Sequence, residues 1–259
     1  MKVFAVFGEG SSQRALAQRI NGSVPLAHIA KVQLQPKGRR KIARSAISIT
    51  LGRSLRVAWL GMLKHFEGRF GEWPAVPSSS HSSANDSVLA ELIERERPDL
   101  VLVSGTDLLR KETIDRLGTK VMNLHTGISP YIRGGPNCTN WALALGEFDL
   151  IGNTVMWIDP GIDSGAIIAT ERTPLSGHET LTELHIKVMD HAHDLYRRAV
   201  EAFVEGRPLP SVSQETIAAG RLFLTRHWDS AAILRAAFNH RFRYRPFRVR
   251  PDIRLVEMS

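Results

Sequence analysis

Short apolar runs alternate with amphipathic stretches through the first two thirds of the chain. Residues 3–7 form a continuous apolar run closed by Gly8, which is the pattern of a strand buried on both faces. Residues 12–20 then fit an amphipathic helix, for which Ser11 or Ser12 would be the N-cap. Four later apolar runs predict further strands, at residues 100–103, 121–124, 154–158 and 166–169.

Three longer stretches predict helices between and after these strands. Residues 38–66 form a basic amphipathic stretch, and residues 86–97 form another helix that Pro98 closes. Thr180 and Glu183 have the spacing of a capping box and open a long helix. One apolar face of that helix is predicted to consist of Leu184, Val188, His191, Leu195 and Ala199.

The alternation of strands and helices predicts the fold class. It favours an α/β protein with a mostly parallel, twisted sheet that helices cover. Residues from 207 onward are rich in arginine and aromatic side chains, unlike the preceding part. We therefore expect a main domain over residues 1–206 and a small basic C-terminal appendage over residues 207–259.

The composition is that of an ordinary globular protein, with 259 residues, 43% hydrophobic and 23% charged. No apolar run approaches the ~20 residues that cross a bilayer, and the run at the start is too short for a signal peptide. Cys138 is the only cysteine, so a disulfide framework and a cysteine metal site are not expected. These features predict a cytoplasmic protein with no transmembrane segment and no bound metal.

The charge balance is strongly basic, with a formal net charge of +8. Two stretches carry much of this charge, residues 37–44 and residues 235–254. Such runs are most often a solvated face, but they also attract phosphates on a small substrate, a nucleic acid or an anionic membrane. Charge alone does not choose between these interpretations.

Polar side chains follow the strand predicted at residues 121–124. Asn123 and His125 are two positions apart, so they point to the same side near the carboxyl end of the strand, where open α/β sheets bind ligands. A second polar turn presents Asp163 between small residues. Taken singly, His125 and Asp163 would be ordinary turn residues. As a set, an amide, an imidazole and a carboxylate suit acyl transfer.

The order of these motifs resembles the folate-dependent formyltransferase family. The matching residues are Asn123-x-His125, Pro130-x-x-Arg133-Gly134, Trp141-Ala142-Leu143, Gly146 and Gly161-Ile162-Asp163-Ser164-Gly165. The resemblance covers about residues 1–205 and is densest over residues 100–170. It implies a Rossmann-like catalytic domain that moves a formyl group to an amine, with 10-formyltetrahydrofolate as co-substrate.

The resemblance also implies roles for individual residues. Asn123 would donate a hydrogen bond to the developing oxyanion, and His125 would polarise the formyl group or move a proton. Asp163 would hold His125 and a water. The family's pterin-binding loop would correspond here to Gly105, Thr106, Asp107, Leu108 and Leu109.

The acceptor side of the predicted site departs from the family pattern. Many members have Ser-Leu-Leu-Pro after the histidine, whereas this chain continues with Thr126-Gly127-Ile128-Ser129-Pro130. The turn after the first strand is similar to one with which glycinamide ribonucleotide enzymes cradle a phosphate, although a plain strand-to-helix turn fits nearly as well. Arg133 would touch substrate or organise the site, or belong to a merely flexible loop. The expected acceptor contacts are Gly8, Gly10, Ser11, Arg133 and Gly134.

The expected acceptor is the amino group of a nucleotide-linked amino-deoxysugar used for surface polysaccharide (O-antigen) synthesis, with GDP-perosamine as the suggested sugar. One alternative acceptor is another small amine, such as glycinamide ribonucleotide. An alternative from a different class is a basic nucleic-acid-binding protein on an inactive enzyme scaffold. Only residues 207–259 follow the family-like region, which argues against tRNA. Folate and a nucleotide amino-sugar, rather than nucleic acid, are the expected partners, and a homodimer is left open.

Overall fold

A seven-stranded sheet forms the centre of the protein. The computed structural model describes residues 1–33, 46–135 and 137–258, with no side chains described for residues 46–51. The strands of the sheet lie in the order β3-β2-β1-β4-β5-β7-β8. Their bounds are Val3–Gly8 (β1), Leu26–Val32 (β2), Ser78–His81 (β3), Leu100–Ser104 (β4), Lys120–His125 (β5), Gly152–Trp157 (β7) and Ile167–Arg172 (β8). A two-stranded ladder joins Arg133–Gly134 (β6) to Leu222–Phe223 (β9).

Seven α-helices surround the sheet in the part of the chain that is described. They are Ser11–Asn21 (α1), Ala46–Arg69 (α2), Ser87–Glu96 (α3), Lys111–Leu117 (α4), Cys138–Leu145 (α5), Leu181–Val204 (α6) and Ser230–Phe238 (α7). Apolar side chains from α1, α2 and α6 pack on one face of the sheet, and α3 and α4 pack on the other. Helices therefore cover both faces of the sheet, between which the side chains of each strand alternate. The predicted α/β class with a mostly parallel sheet is confirmed.

The five neighbouring strands β3, β2, β1, β4 and β5 pair in parallel, but both pairs that involve β7 are antiparallel. β7 runs antiparallel to both β5 and β8. His125, at the end of β5, pairs with Thr154 at the start of β7, while Met122 pairs with Trp157 at its end. The turn that follows β7 therefore leaves the sheet beside the start of β5, far from His125.

The start of α1 corrects one sequence prediction. Its N-cap is Gly10, and Ser11 and Ser12 lie inside the first turn. The Ser11 hydroxyl donates to the carbonyl oxygen of Leu63 in α2 at 2.7 Å. The Ser12 hydroxyl lies 3.2 Å from Nε2 of His193 in α6. Both serines are buried, and they join α1 to its neighbouring helices instead of capping it.

The basic helix predicted at residues 38–66 is described only from Ala46, and it continues to Arg69. The whole basic run of residues 37–44 precedes that start and lies outside the described residues. The capping box of Thr180 and Glu183 is present at the start of α6.

Residues 207–258 return to the sheet. Val212 pairs with Ile167 of β8 through two backbone hydrogen bonds of 2.8 and 3.0 Å. Thr170, also in β8, donates its backbone N–H to the carbonyl oxygen of Val256 at 2.8 Å. α7 packs against α5 and α2, and buried Ile233 of α7 shares a hydrophobic cluster with Trp141 of α5.

Candidate active site

A cavity of about 1030 Å³ opens at the carboxyl ends of β1, β4 and β5. Its wall contains all three residues predicted to carry the chemistry, Asn123, His125 and Asp163. Met122 and Leu124 pack into the cluster on the α6 face, so Asn123 and His125 point to the opposite face because strand side chains alternate. The cavity is large enough for more than one small ligand, since ligand pockets usually span ~300–1,000 Å³.

The His125 imidazole lies between two sets of acceptors. Its Nδ1 is 3.4 Å from Oδ2 of Asp163. Its Nε2 is 3.4 Å from the carbonyl oxygen of Ile132 and 3.5 Å from Sγ of Cys138. Both contacts of Nε2 are longer than ordinary hydrogen bonds, so a proton on this nitrogen faces no strong hydrogen-bond acceptor within the protein.

The Asp163 carboxylate is held from a second direction. The backbone N–H of Gly134 donates to Oδ2 of Asp163 at 3.0 Å, and this oxygen is the one that faces His125. Burial alone would lower the pKa of His125, but the Asp163 carboxylate raises it, and the net effect is a pKa raised to about 10. At neutral pH His125 is therefore an imidazolium that can donate a proton.

Two glycines permit close approaches at this end of the sheet. A Cβ at Gly127 would lie 2.6 Å from Nε2 of His125 and 2.8 Å from the carbonyl oxygen of Ile132. A Cβ at Gly8 would collide with the carbonyl oxygen of Gly105. Side chains at these positions would displace the His125 imidazole or separate the ends of β1 and β4.

The predicted folate loop lines the cavity along its whole length, from Gly105 through Thr106, Asp107 and Leu108 to Leu109. The Asp107 carboxylate is occupied by the protein itself. It accepts hydrogen bonds from the hydroxyl of Ser83 at 2.6 Å, the backbone N–H of Ala84 at 2.8 Å and the amide of Asn85 at 3.0 Å. These bonds fix the conformation of the loop that lines the cavity.

The residues predicted to contact the acceptor divide into two groups. Gly8, Gly10 and Gly134 line the cavity, whereas Ser11 and Arg133 are not among its lining residues. The Ser11 hydroxyl is already used by Leu63. Arg133 belongs to the short strand β6, whose partner is β9.

Several lining residues carried no motif in the sequence. Trp59 and Leu63 reach the cavity from α2, and Gln13 reaches it from α1.

Gln214 contacts the turn of Asp163 from outside the cavity lining. Its Nε2 donates to the carbonyl oxygens of Asp163 and Gly165 at 2.8 and 2.9 Å. No short-range signal points to Gln214, because its partners are about 50 positions earlier in the chain.

Within residues 1–33, 46–135 and 137–258, no group of three or more His, Cys, Asp or Glu side chains is placed to hold a metal ion. None of the described helices combines the length and the apolar character needed to cross a membrane.

A family model for formyl transferases matches residues 1–200, a span that contains Asn123, His125 and Asp163. The chain belongs to the formyl transferase family. The family relationship expected from the motifs is therefore confirmed.

Among curated relatives, a methionyl-tRNA formyltransferase of Finegoldia magna is 30% identical over 120 residues, which are 46% of this chain and 38% of that one. The chain thus spans less than half the length of the curated relatives it matches. Two solved structures show the same fold. A sugar N-formyltransferase from Shewanella matches with a TM-score of 0.58 at 14% identity, over 100% of this chain and 96% of that one. An N-formyltransferase from Helicobacter canadensis, in complex with folinic acid and dTDP-3-aminofucose, matches with a TM-score of 0.54 at 14% identity, over 92% and 81%.

Proposed function

We propose that this protein is an N-formyltransferase that moves a formyl group from 10-formyltetrahydrofolate to the amino group of a nucleotide-linked amino-deoxysugar. The observation that carries the proposal is the contact of 3.4 Å between His125 and Asp163 in the wall of a cavity that Asn123 also lines. Membership of the formyl transferase family supports the reaction class.

The residues of the cavity fit a folate donor. Loop residues 105–109 and the turn of residues 161–165 both line it, together with apolar side chains such as Met156 and Leu109. This combination suits a flat ring with polar edges, since ligand pockets are mostly apolar with a few placed polar groups. When bound, the folate would supply the formyl carbon that the acceptor amine attacks.

Asn123 and His125 have complementary parts in this reaction. The Asn123 amide would donate a hydrogen bond to the formyl oxygen as negative charge develops there, and such a donor contributes ~3–4 kcal/mol in other acyl-transfer enzymes. The His125 imidazolium would give its proton to the folate nitrogen as the carbon–nitrogen bond breaks. Neutral His125 would then accept the proton that the attacking amine loses, which restores its charge.

Asp163 would act through His125. Its carboxylate favours the charged imidazole, because an opposite charge at this distance stabilises the protonated form. The raised pKa of about 10 for His125 means that the proton donor is available at neutral pH. Asp163 thereby sets the protonation state with which each turnover begins.

Two features support an amino-sugar acceptor. The Helicobacter canadensis structure of the same fold holds dTDP-3-aminofucose. The described cavity residues include the carboxylates of Glu9, Asp159 and Asp163, but no lysine or arginine, which favours a cationic amine near the centre. Positive charge for a diphosphate is available in the run of residues 37–44, which follows closely on the cavity residue Gln33 in sequence.

A direct assay tests this proposal. The protein is incubated with 10-formyltetrahydrofolate and GDP-perosamine, dTDP-3-aminofucose, glycinamide ribonucleotide or methionyl-tRNA, and mass spectrometry detects the gain of one formyl group. We expect formylation of an amino-sugar nucleotide by the wild type and its loss in His125→Ala. Transfer to none of the sugars, with folded protein and active folate, would overturn the acceptor class.

Methionyl-tRNA is the second candidate acceptor, because the curated relatives are methionyl-tRNA formyltransferases. Binding to tRNA or another nucleic acid would weaken steeply with salt, so a salt titration of binding separates this case from a sugar nucleotide. The proposed compartment is the cytoplasm, in keeping with the single free cysteine, Cys138. A homodimer stays a prediction for size measurements in solution.

A further inference from the structure

The turn that carries Asp163 is not positioned by the sheet. Because β7 is antiparallel to β5, the turn starts beside Met122, at the opposite end of β5 from His125. Asp163 reaches His125 only by folding back along the strands to a distance of 3.4 Å. Such a return loop needs contacts outside the strand ladder to hold it.

The turn is tied internally, but in an uncommon conformation. Oδ1 of Asp159 accepts hydrogen bonds from the backbone N–H of Gly161 at 3.0 Å and from the hydroxyl of Ser164 at 2.7 Å. Asp163 has a backbone φ of 47°, in the left-handed region that aspartate and asparagine adopt more readily than other non-glycine residues. Contacts from other parts of the chain add to the hydrogen bonds within the turn.

Gln214 supplies the fixing contact from the C-terminal part of the chain. Its side-chain nitrogen donates to the carbonyl oxygens of Asp163 at 2.8 Å and Gly165 at 2.9 Å. The residue is only 4% exposed, and the pairing of nearby Val212 with Ile167 of β8 holds it in place. A flipped amide would set its oxygen against two carbonyl oxygens, so chemistry fixes the direction of these bonds.

We propose that Gln214 is a positioning residue for the active site: its amide clamps the turn of residues 159–165 so that the Asp163 carboxylate stays against His125. The kinetic consequence rests on the proposed formyl transfer, but the structural one does not. Without the clamp, Asp163 drifts from an imidazole that remains buried. The His125 imidazolium then loses its partner, and its proton is held less firmly.

The experiment uses two near-isosteric variants and a matched control in the full-length protein. Gln214→Met keeps the volume and removes the donor. Gln214→Glu has no donor while its carboxylate is ionised and regains one when it is protonated. The control is Asn239→Leu, because buried Asn239 also lies in the C-terminal segment and donates its amide to two carbonyl oxygens, those of Leu143 at 2.8 Å and Ala144 at 3.2 Å.

Two measurements are made on each variant. Nitrogen NMR of labelled histidine follows the titration of His125 without requiring catalysis. Steady-state kinetics gives kcat and KM for formyl transfer. We expect Gln214→Met to lower the pKa of His125 by ~1 unit or more and kcat by about 10-fold or more, with acceptor KM nearly unchanged. Gln214→Glu should approach wild-type kcat as the pH falls. Asn239→Leu should match wild type in both measurements.

The outcomes separate the two proposals. If the wild type transfers no formyl group but Gln214→Met still lowers the pKa of His125, the clamp stands and the proposed function fails. If the wild type is active and folded Gln214→Met equals it in kcat and in His125 titration, the clamp is wrong and the function stands. Should Gln214→Met not fold, Gln214→Glu with no recovery of kcat toward acid pH overturns the clamp.

Discussion

Buried histidines in two regions of the protein have pKa values that are shifted in opposite directions. His125, in the cavity wall, is 8% exposed, and its pKa is raised to about 10. His193, on the buried side of α6, is 1% exposed, and burial lowers its pKa to about 3. His185, on the same helix, is 3% exposed, and burial lowers its pKa to about 4. The three rings are similarly buried, so burial does not explain the difference.

The nearest partners of the three imidazole rings explain the difference in pKa. Nδ1 of His125 faces the carboxylate of Asp163, whereas Nε2 of His193 meets the neutral hydroxyl of Ser12. His185 packs edge-on against the ring of Trp59. A buried imidazole stays charged only where a carboxylate offsets the cost of desolvation. The comparison teaches that the charge of a buried histidine in this protein depends on its partner rather than on its depth.

The largest effect is expected from Asp163→Asn. The left-handed backbone at Asp163 is one that asparagine also adopts, so the fold should persist while the charge is lost. His125 would then behave like His193, with a pKa below its usual value. We expect kcat to fall about 10²–10⁴-fold and its alkaline limb to move to lower pH, with acceptor KM nearly unchanged.

The test compares the steady-state kinetics of Asp163→Asn with those of His125→Ala. Circular dichroism checks that both variants fold. Asparagine is as good a turn residue as aspartate, so a position that served only the turn would tolerate the change. A folded variant with near wild-type kcat would remove Asp163 from the mechanism and erase the contrast with His193.

Gly127→Ala tests how closely the imidazole is fitted. The new Cβ would lie 2.6 Å from Nε2 of His125 and 2.8 Å from a backbone oxygen, so the ring must shift from its present position. We expect kcat to fall roughly 10–100-fold, since small displacements of catalytic groups are costly. The matched control is Gly68→Ala in α2, where nothing lies within 4 Å.

Gly68→Ala should leave kcat unchanged and raise stability by ~0.5–1 kcal/mol, because alanine favours a helix interior. Stopped-assay kinetics and thermal melts of both variants give the answer. Equal kcat in the two alanine variants would mean that the His125 ring accommodates the added methyl group without loss of activity.

The same contrast predicts opposite pH dependences of stability. His185 and His193 have folded pKa values below the unfolded value, so their neutral burial is favourable near neutrality and costs stability as pH falls below ~6.5. His125 has a raised folded pKa of about 10, so its contribution is full below pH ~6.5 and is lost as pH rises toward 10.

Urea unfolding of wild type, His185→Leu and His125→Ala between pH 4 and pH 10 measures these contributions. His185→Leu should make the loss of stability below pH ~6.5 shallower, by up to ~1.4 kcal/mol per pH unit. His125→Ala should flatten the alkaline side instead. Parallel curves for all three proteins would contradict the assigned directions.

The smallest effect is expected from the basic run of residues 37–44. Reversing Arg39, Arg40 and Lys41 should raise the acceptor KM by roughly 3–10-fold at low salt and leave kcat almost alone, because steering charges alter association more than chemistry. The effect should shrink as salt screens it. Steady-state kinetics at two salt concentrations checks this prediction. Unchanged values of KM and kcat would identify residues 37–44 as a solvated face.

The sequence was informative where candidate site residues lie next to a strand end. Asn123 and His125 are two positions apart on β5, so alternation alone placed them together, and the predicted strands agree with β1, β4, β5, β7 and β8 within a few positions. The antiparallel direction of β7 was not predicted, because an apolar run is the same in either direction.

Contacts between distant positions could not be predicted in the same way. The serines after Gly10 have good capping chemistry, yet they bond Leu63 and His193, since tertiary partners compete with local ones. Cys138, 13 positions after His125, is buried with its Sγ 3.5 Å from Nε2 of His125. Gln214 has no local pattern at all, because its two acceptors belong to a turn near the middle of the chain.

The two outer edges of the sheet are protected by different means. β3, at one edge, is four residues long and three of them are serines, which makes it a poor template for a further strand. β8, at the other edge, is longer and mostly buried, and Val212 and Val256 hydrogen-bond to the backbone of Ile167 and Thr170 on its outer side. Detachment of the C-terminal segment would free these backbone groups to pair with a strand of another copy, because an unpaired strand edge is a template for further pairing.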